Sequence, residues 1–83
     1  MYYVYVIRNE VNQFYIGYSS DLVKRLACHN GGKNLSTKGH QWELVYYEAY
    51  INEKYARKRE YKLKNNKRMK SFFIKRVEES LSN

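Results

Sequence analysis

The chain has no proline, one cysteine and four glycines among its 83 residues. A single cysteine, Cys28, cannot form an intramolecular disulfide and is too few for a zinc site, which excludes a disulfide-stapled secreted miniprotein. Long apolar runs are also missing, because the longest one, residues 2–7, is far shorter than the roughly 18–20 residues of a membrane span. With no basic segment leading into an apolar run at the N-terminus, we expect a cytoplasmic protein.

The length and the aromatic content indicate one small folded domain. A chain of 83 residues is too short for two domains, so we expect a single domain over residues 1–83. Aromatic residues make up 17% of the sequence and include ten tyrosines. This content argues against intrinsic disorder, because disordered chains are poor in aromatic residues.

Positive charge is concentrated in the last third of the chain. The whole sequence holds 16 basic and 8 acidic residues, for a formal net charge of +8. Between Lys54 and Arg76 there are eleven basic residues and one acid, Glu60. Such a segment attracts polyanions, and nucleic acid is the first candidate because neutralising phosphates releases counterions. The residues we expect to bind its backbone are Arg57, Lys58, Lys62, Lys64, Lys67 and Arg68.

The basic segment is also compatible with two roles besides binding nucleic acid. Contact with an anionic membrane surface is less favoured, since the segment lacks the broad apolar face of a helix that lies on a bilayer. The plainer alternative is a solvated helix surface that is basic for solubility.

The hydrophobic pattern predicts three strands and three helices in the order ββαβαα. Residues 2–8, 14–18 and 42–50 are rich in aromatic and β-branched residues, which favours strands. Since both faces of the first strand are apolar, we expect it at the centre of a sheet. Residues 19–21 have the composition of a helix N-cap, and Asn52 is placed to cap a second helix that runs to about Asn65. A third helix is predicted over 68–81. The side chains expected on the inner faces of the helices are Leu22, Val23, Leu26 and Ala27, then Tyr55, Ala56 and Leu63, then Met69, Phe72, Phe73, Val77 and Leu81.

Several side chains that could take part in catalysis are spaced so that the predicted strands and helices bring them together. Tyr5 and Tyr15 lie ten residues apart on the predicted hairpin, and Arg25 follows on the first helix. His29 lies four residues after Arg25 and so shares its helix face. Glu60 is four residues after Ala56 and three before Leu63, which directs its carboxylate towards the sheet side of the second helix.

On these residues the sequence resembles a stand-alone GIY-YIG nuclease domain. It is similar to small single-domain proteins related to the N-terminal nuclease module of an excision-repair endonuclease. The similarity covers residues 2–70, and the segments YVYVI, FYIGYSSDLVKRLACHN, WELVYYEAY and ARKREYKLK occur in the family's order. The first motif is YVY in place of GIY, with Tyr3 in place of the glycine, and the second motif, YIG, is intact.

The resemblance implies an α+β fold in which three antiparallel strands are flanked by helices. It also implies hydrolysis of phosphodiester bonds with one divalent ion, Mg²⁺ or Mn²⁺. In the corresponding roles Tyr5 activates the attacking water and Tyr15 positions the water or the phosphate. Arg25 stabilises charge on the phosphate, His29 assists, and Glu60 is the single protein ligand of the metal.

These residue types suit that chemistry. A hard divalent ion prefers oxygen ligands and keeps several waters, so one carboxylate together with phosphate oxygens can hold it. Arginine makes charge-assisted, often bidentate bonds to phosphate. The reference pKa of tyrosine is about 10, so the proton of a tyrosine base must be shared with a neighbour.

The sequence departs from the family at the position three residues after the YIG tyrosine. Many members carry lysine there, and this chain has Tyr18. If that lysine helps to activate the nucleophile, another residue must replace it, and Lys24 and Lys38 are candidates.

Each candidate is also compatible with a purely structural role. Tyr5 and Tyr15 are compatible with ordinary strand aromatics, and Arg25 with an ion pair to Asp21. His29 suits the negative end of a helix dipole, and Glu60 suits an ion pair with Arg57 or Lys64.

On the basis of the resemblance, we expect a metal-dependent endonuclease that acts on DNA, or alternatively on RNA, in repair or recombination. The alternative is a nucleic-acid-binding module that has the same scaffold but little or no cleavage activity.

Overall fold

The computed structural model describes residues 1–82 and has the predicted order ββαβαα. The strands are β1 (Tyr2–Asn9), β2 (Phe14–Ser19) and β3 (Trp42–Tyr50), and the helices are α1 (Leu22–Asn30), α2 (Glu53–Asn65) and α3 (Lys67–Leu81). The predicted α+β class, with a three-stranded antiparallel sheet flanked by helices, is confirmed.

The sheet has the strand order β2-β1-β3, with β1 in the centre as its two apolar faces predict. Alternate residues of β1 enter different hydrophobic clusters because successive side chains of a strand point to opposite faces. Val4 and Val6 face the side covered by α2 and α3, whereas Tyr5 and Ile7 face the side covered by α1. Each face of the sheet therefore has its own core.

A β-bulge interrupts the pairing of β1 with β3. Val6 is opposite Tyr46, but the next residue, Ile7, is opposite Leu44, so Val45 is one extra residue in β3. A bulge shifts the alternation of side chains by one residue. It therefore determines which residues of β3 before the bulge share a sheet face with which residues after it.

The larger core lies between the sheet and the two C-terminal helices. Ala56 and Leu63 of α2 are buried against β1 and β2, and Phe73 and Val77 of α3 are buried in the same cluster, with Phe73 packed on Tyr46 of β3. On the opposite face α1 covers only part of the sheet. Its Leu22 and Leu26 pack on a smaller cluster of Tyr5, Ile7 and Trp42.

Four apolar side chains that the helical pattern directs towards the core are exposed instead. Ala27 is exposed, as are Val23 (84%), Tyr55 (60%) and Phe72 (61%). Each of these helices touches the sheet along a narrow stripe, and residues one position from that stripe turn away by about 100°. Leu22 and Leu26, four residues apart, share the stripe of α1, and Val23 does not.

The helices begin at side-chain caps. Asp21 caps α1 by accepting a hydrogen bond from the Lys24 amide, and Asn52 caps α2 through the Lys54 amide. Asn66 is at once the last cap of α2 and the first cap of α3, where it accepts from the Met69 amide. Among residues 1–82 no helix is long and apolar enough to cross a membrane.

Gly17 of β2 is required by the side chain opposite it. It pairs with Tyr5, and a Cβ atom at position 17 would overlap the phenol ring and hydroxyl of Tyr5. The ring of Tyr5 therefore lies flat across β2, in space that only glycine leaves free.

We predict that Gly17→Ala destabilises the fold by about 1–3 kcal/mol, because the added methyl group overpacks the space of the Tyr5 ring. Urea unfolding, with the slope held constant, measures the loss. In a Tyr5→Leu background the same substitution should cost much less. Equal costs in the two backgrounds would contradict this account of Gly17.

Candidate active site

Tyr5 and Tyr15 lie on the sheet face that α1 partly covers. Tyr5 is opposite Gly17, and Tyr15 is opposite Ile7, one row further along the same two strands. Tyr5 is buried and Tyr15 is half-buried. The predicted hairpin spacing of ten residues thus does bring the two phenol rings to the same side of the sheet.

The hydroxyl of Tyr5 forms a hydrogen bond with His29. Tyr5 Oη lies 2.8 Å from His29 Nε2, and His29 is fully buried at the end of α1. The imidazole also packs edge-on against Tyr15, with ring centres 5.1 Å apart. His29 therefore contacts both tyrosines, and the helix end brings it to them.

The second nitrogen of His29 is held by the loop between α1 and β3. His29 Nδ1 lies 2.7 Å from Thr37 Oγ1, and Thr37 is itself fully buried. The Thr37 hydroxyl lies 3.4 Å from the Asn34 carbonyl. When the hydroxyl donates there, its oxygen accepts from Nδ1–H, which leaves Nε2 as an acceptor for the Tyr5 proton.

Burial keeps both members of the Tyr5–His29 pair neutral. It raises the pKa of Tyr5 well above its usual value; the Tyr15 hydroxyl adds to this, and the charge of Arg25 opposes it. Burial lowers the pKa of His29, and the positive charges of Arg25 and Lys64 lower it further. A neutral imidazole is the form that can accept a proton from the phenol.

Arg25 lies near the pair without a carboxylate partner. Its charge acts on both Tyr5 and His29, and the side chain is exposed. Among residues 1–82 no carboxylate forms an ion pair with Arg25, and Asp21 caps α1 instead. A guanidinium without such a partner is available to bind an anion.

Glu60 and Lys64 complete the cluster from α2. They are four residues apart on one flank of the helix, with Lys64 Nζ 3.2 Å from Glu60 Oε2. The same ammonium lies 4.9 Å from the centre of the Tyr15 ring. Because α2 packs on the opposite face of the sheet, Lys64 reaches Tyr15 past the margin of the sheet at β2. The ion pair with Lys64, one of the structural alternatives for Glu60, is therefore present.

The donor set at Glu60 fits a hard divalent cation that is shared with a substrate. The side chain is 23% exposed, so its carboxylate is partly screened from water but remains accessible. In residues 1–82 no three histidine, cysteine or acidic side chains converge on one point. Water and phosphate oxygens would therefore supply the remaining ligands, as they commonly do for Mg²⁺.

Tyr18, which occupies the position of the lysine of many GIY-YIG members, lies on the other face of the sheet. Its hydroxyl donates to Glu53 Oε2 at 2.6 Å, and Arg57 stacks over its ring. Tyr18 cannot take the place of a cation beside Tyr15. The lysine that the structure places there is Lys64 rather than Lys24 or Lys38.

The six basic residues expected to bind nucleic acid are spread over more than one surface. Arg57 and Lys64 share the flank of α2 that carries Glu60, at helical spacings of three and four residues. Lys58 and Lys62 line the opposite flank, where a groove of about 790 Å³ also contains Tyr55 and Met69. Lys67 and Arg68 begin α3. Of the six, Lys64 is in direct contact with the cluster around Tyr15.

The sequence did not indicate the role of Thr37 in this cluster. Thr37 lies in a polar loop without periodicity, where a pattern predicts at most a contact with a nucleic-acid backbone. Its burial depends on Trp42, whose indole N–H donates to the Thr37 carbonyl at 2.9 Å. A buried tryptophan needs a partner for its N–H, and that need was the one available signal.

Two comparisons identify what the chain is similar to. A family model described as the GIY-YIG catalytic domain matches residues 1–72. The UPF0213 protein SH2523 of Staphylococcus haemolyticus is 35% identical over 80 residues, which cover 94% of this chain and 95% of that protein. The UPF0213 protein CPE1444 of Clostridium perfringens is 33% identical over 84 residues, covering 95% and 90%.

A solved structure has the same architecture. The solution NMR structure of the UPF0213 protein BH0048 from Bacillus halodurans aligns with a TM-score of 0.56 and 29% identity. The alignment covers 90% of this chain and 84% of that one. The names of these relatives state no activity.

We predict that the buried neutral His29 makes stability depend on pH. The unfolded chain binds a proton at this histidine near pH 6.5, while the folded chain, whose His29 pKa is lowered, does not. The free energy of unfolding should therefore fall as the pH drops from about 7 to about 5.5. Urea unfolding at both pH values should show a smaller drop for His29→Gln. An unchanged drop in His29→Gln would contradict the assignment.

Proposed function

The chain belongs to the GIY-YIG family, and on that premise we propose that it is a metal-dependent endonuclease that hydrolyses phosphodiester bonds in DNA. The observation that carries the proposal is the hydrogen-bonded chain Tyr5–His29–Thr37, with Arg25 and Glu60 beside it. A purely structural tyrosine pair needs neither an imidazole oriented at both nitrogens nor an arginine without a carboxylate partner.

In this proposal Tyr5 and His29 act together as the base. Tyr5 Oη takes a proton from the attacking water while its own proton moves to His29 Nε2, so the phenolate never has to form alone. This matters because burial raises the pKa of Tyr5, which makes a free phenolate costly. The water oxygen forms a bond to phosphorus, one phosphorus–oxygen ester bond breaks, and the leaving oxygen takes a proton from solvent.

Arg25 and Glu60 act on the phosphate. The guanidinium of Arg25 binds the non-bridging oxygens, whose negative charge grows as the water attacks. Glu60 would hold the Mg²⁺ or Mn²⁺ ion, which supplies charge neutralisation at the phosphate when bound. Tyr15, half-buried next to His29, orients the water or the phosphate.

Lys64 has two partners in this scheme. Without substrate its ammonium pairs with the Glu60 carboxylate. Were Glu60 to hold a divalent cation, Lys64 would lose this partner and could contact the nucleic acid instead. In this proposal Lys64 takes the role of the lysine that many members carry where this chain has Tyr18.

The net charge of +8 supports a polyanionic substrate. DNA is the substrate that the family suggests, with RNA as the alternative. Contacts from Arg57, Lys58, Lys62, Lys67 and Arg68 would go to the sugar-phosphate backbone, which positions the strand without reading its sequence.

We predict metal-dependent nicking of supercoiled plasmid. Tyr5→Phe should lower the rate about 10²–10⁴-fold, and Glu60→Gln should lower it to a similar extent, because each removes one group that acts on the reacting atoms. Tyr18→Phe, on the opposite face of the sheet, is the matched control and should nick at nearly the wild-type rate. Circular dichroism confirms that each variant is folded.

The outcome also decides between this proposal and a binding module without activity. Nicking that survives in both Tyr5→Phe and Glu60→Gln would contradict the assigned roles. No nicking by the wild type with either ion, together with salt-dependent binding of plasmid, would favour the binding module.

We also predict that Thr37 is a positioning residue that acts through His29. Thr37→Val is nearly isosteric but removes the hydroxyl, so kcat should fall about tenfold or more with little change in KM. Thr37→Ser keeps the hydroxyl and should restore most of the rate. If Thr37→Val and Thr37→Ser lose activity equally, the methyl group and not the hydrogen bond is what matters.

A further inference from the structure

An aromatic pair next to Tyr5 on the β3 side of the sheet has no role in the chemistry described so far. Tyr47 of β3 is directly opposite Tyr5, on the same face of the sheet, and is 54% exposed. Tyr3 lies diagonally from it, with the two rings edge-to-face and their centres 5.8 Å apart. Neither ring belongs to the hydrophobic cluster under α1 or to the cluster under α2 and α3.

From this placement we propose that Tyr3 and Tyr47 form a stacking site for an unpaired base next to the scissile phosphate. The inference rests on the proposed nuclease function and adds to it a substrate class. That class is a nucleic-acid strand that is single-stranded at the cleavage point, or that is opened there.

The sheet places the Tyr5 hydroxyl and the proposed stacking site on opposite sides of β1. The Tyr5 ring lies over Gly17, so its hydroxyl points towards β2, where His29 binds it. The β3 side of the same row is left to Tyr47. Because the Tyr5 hydroxyl lies over β2 and Tyr47 is on β3, a strand whose phosphate is at Tyr5 and Arg25 meets the aromatic surface two strand spacings away, about 10 Å.

The surroundings of the pair leave room for a flat ligand. The row that contains Tyr3 has Ser19 on one side and Ala49 on the other, and both side chains are small. An edge-to-face contact covers one ring face only, so ring faces remain for a third planar group. A base stacks on such a surface whatever its identity, and this suits a protein that holds its strand through phosphate contacts.

Charge and continuity favour a nucleic-acid strand over an aromatic side chain of a protein partner. Among residues 1–82 no carboxylate pairs with Arg25, and the chain as a whole is basic. Arg25 lies beside Tyr5, the direct neighbour of Tyr47, so one strand can engage both the charge and the rings. A duplex keeps its bases stacked and paired, and offers no free base to the pair.

The test is binding of oligonucleotides without divalent ions, so that cleavage does not contribute. Fluorescence anisotropy would compare a labelled single strand with the matching duplex, for DNA and for RNA. Tyr47→Ala should raise the single-strand Kd about tenfold and the duplex Kd less than about twofold, while Tyr47→Phe should stay close to the wild type because stacking needs no hydroxyl. Tyr61→Ala, at a tyrosine of α2 that is 68% exposed, is the matched control and should change neither.

A single 2-aminopurine reports the stacking itself. Its emission should be quenched when the strand binds the wild type or Tyr47→Phe, and should stay bright with Tyr47→Ala. Unchanged single-strand affinity and unchanged quenching in Tyr47→Ala would overturn the proposal, and so would an equal loss for single strand and duplex.

The two proposals fail separately. A protein that nicks plasmid through Tyr5 and Glu60 but binds single strands independently of Tyr47 overturns the stacking site alone. A protein that binds single strands through Tyr47 but does not nick with either ion keeps the stacking site and overturns the nuclease.

Discussion

The hydrogen bond between Tyr5 and His29 is the contact on which the rest of the site depends. It joins the central strand to the end of α1, and its acceptor is oriented by Thr37 from a loop that Trp42 holds in place. It also requires a glycine at position 17, since the phenol can reach the histidine only by lying across β2. This hydrogen bond thus links β1, α1 and the loop before β3. The groups that fix the position of its buried proton are all neutral.

The charged side chains of the site lie at the margin of the neutral cluster of Tyr5, His29 and Thr37. Arg25 is exposed at one side, and the Glu60–Lys64 ion pair stands at the other, beside Tyr15. Buried ionic groups are costly, whereas a carboxylate and an ammonium that are partly exposed can exchange partners at little cost. The arrangement therefore combines a buried hydrogen-bonded chain with charged groups around it that can change partners.

The sequence predicted the fold well because each element has a strong local signal. The three strands are rich in aromatic and β-branched residues, and Asp21 and Asn52 cap helices where the pattern indicates. The predicted cluster of Tyr5, Tyr15, Arg25, His29 and Glu60 is brought together by the structure. What the sequence could not show depends on contacts between distant segments. Thr37 meets His29 because Trp42 holds the loop, and Lys64 reaches Tyr15 because α2 runs along the margin of β2, and neither contact has a periodic signature.

The extra residue at Val45 links two parts of the molecule that otherwise look independent. Trp42 and Tyr47 are five positions apart, an odd number, and in a regular strand they would point to opposite faces. Because of the bulge, Trp42 closes the small core under α1 while Tyr47 faces the open part of the same surface. In evolutionary terms, the length of this strand between the two aromatic residues cannot change by one residue without moving one of them to the other face of the sheet. An alignment of distant relatives should therefore be anchored on this spacing.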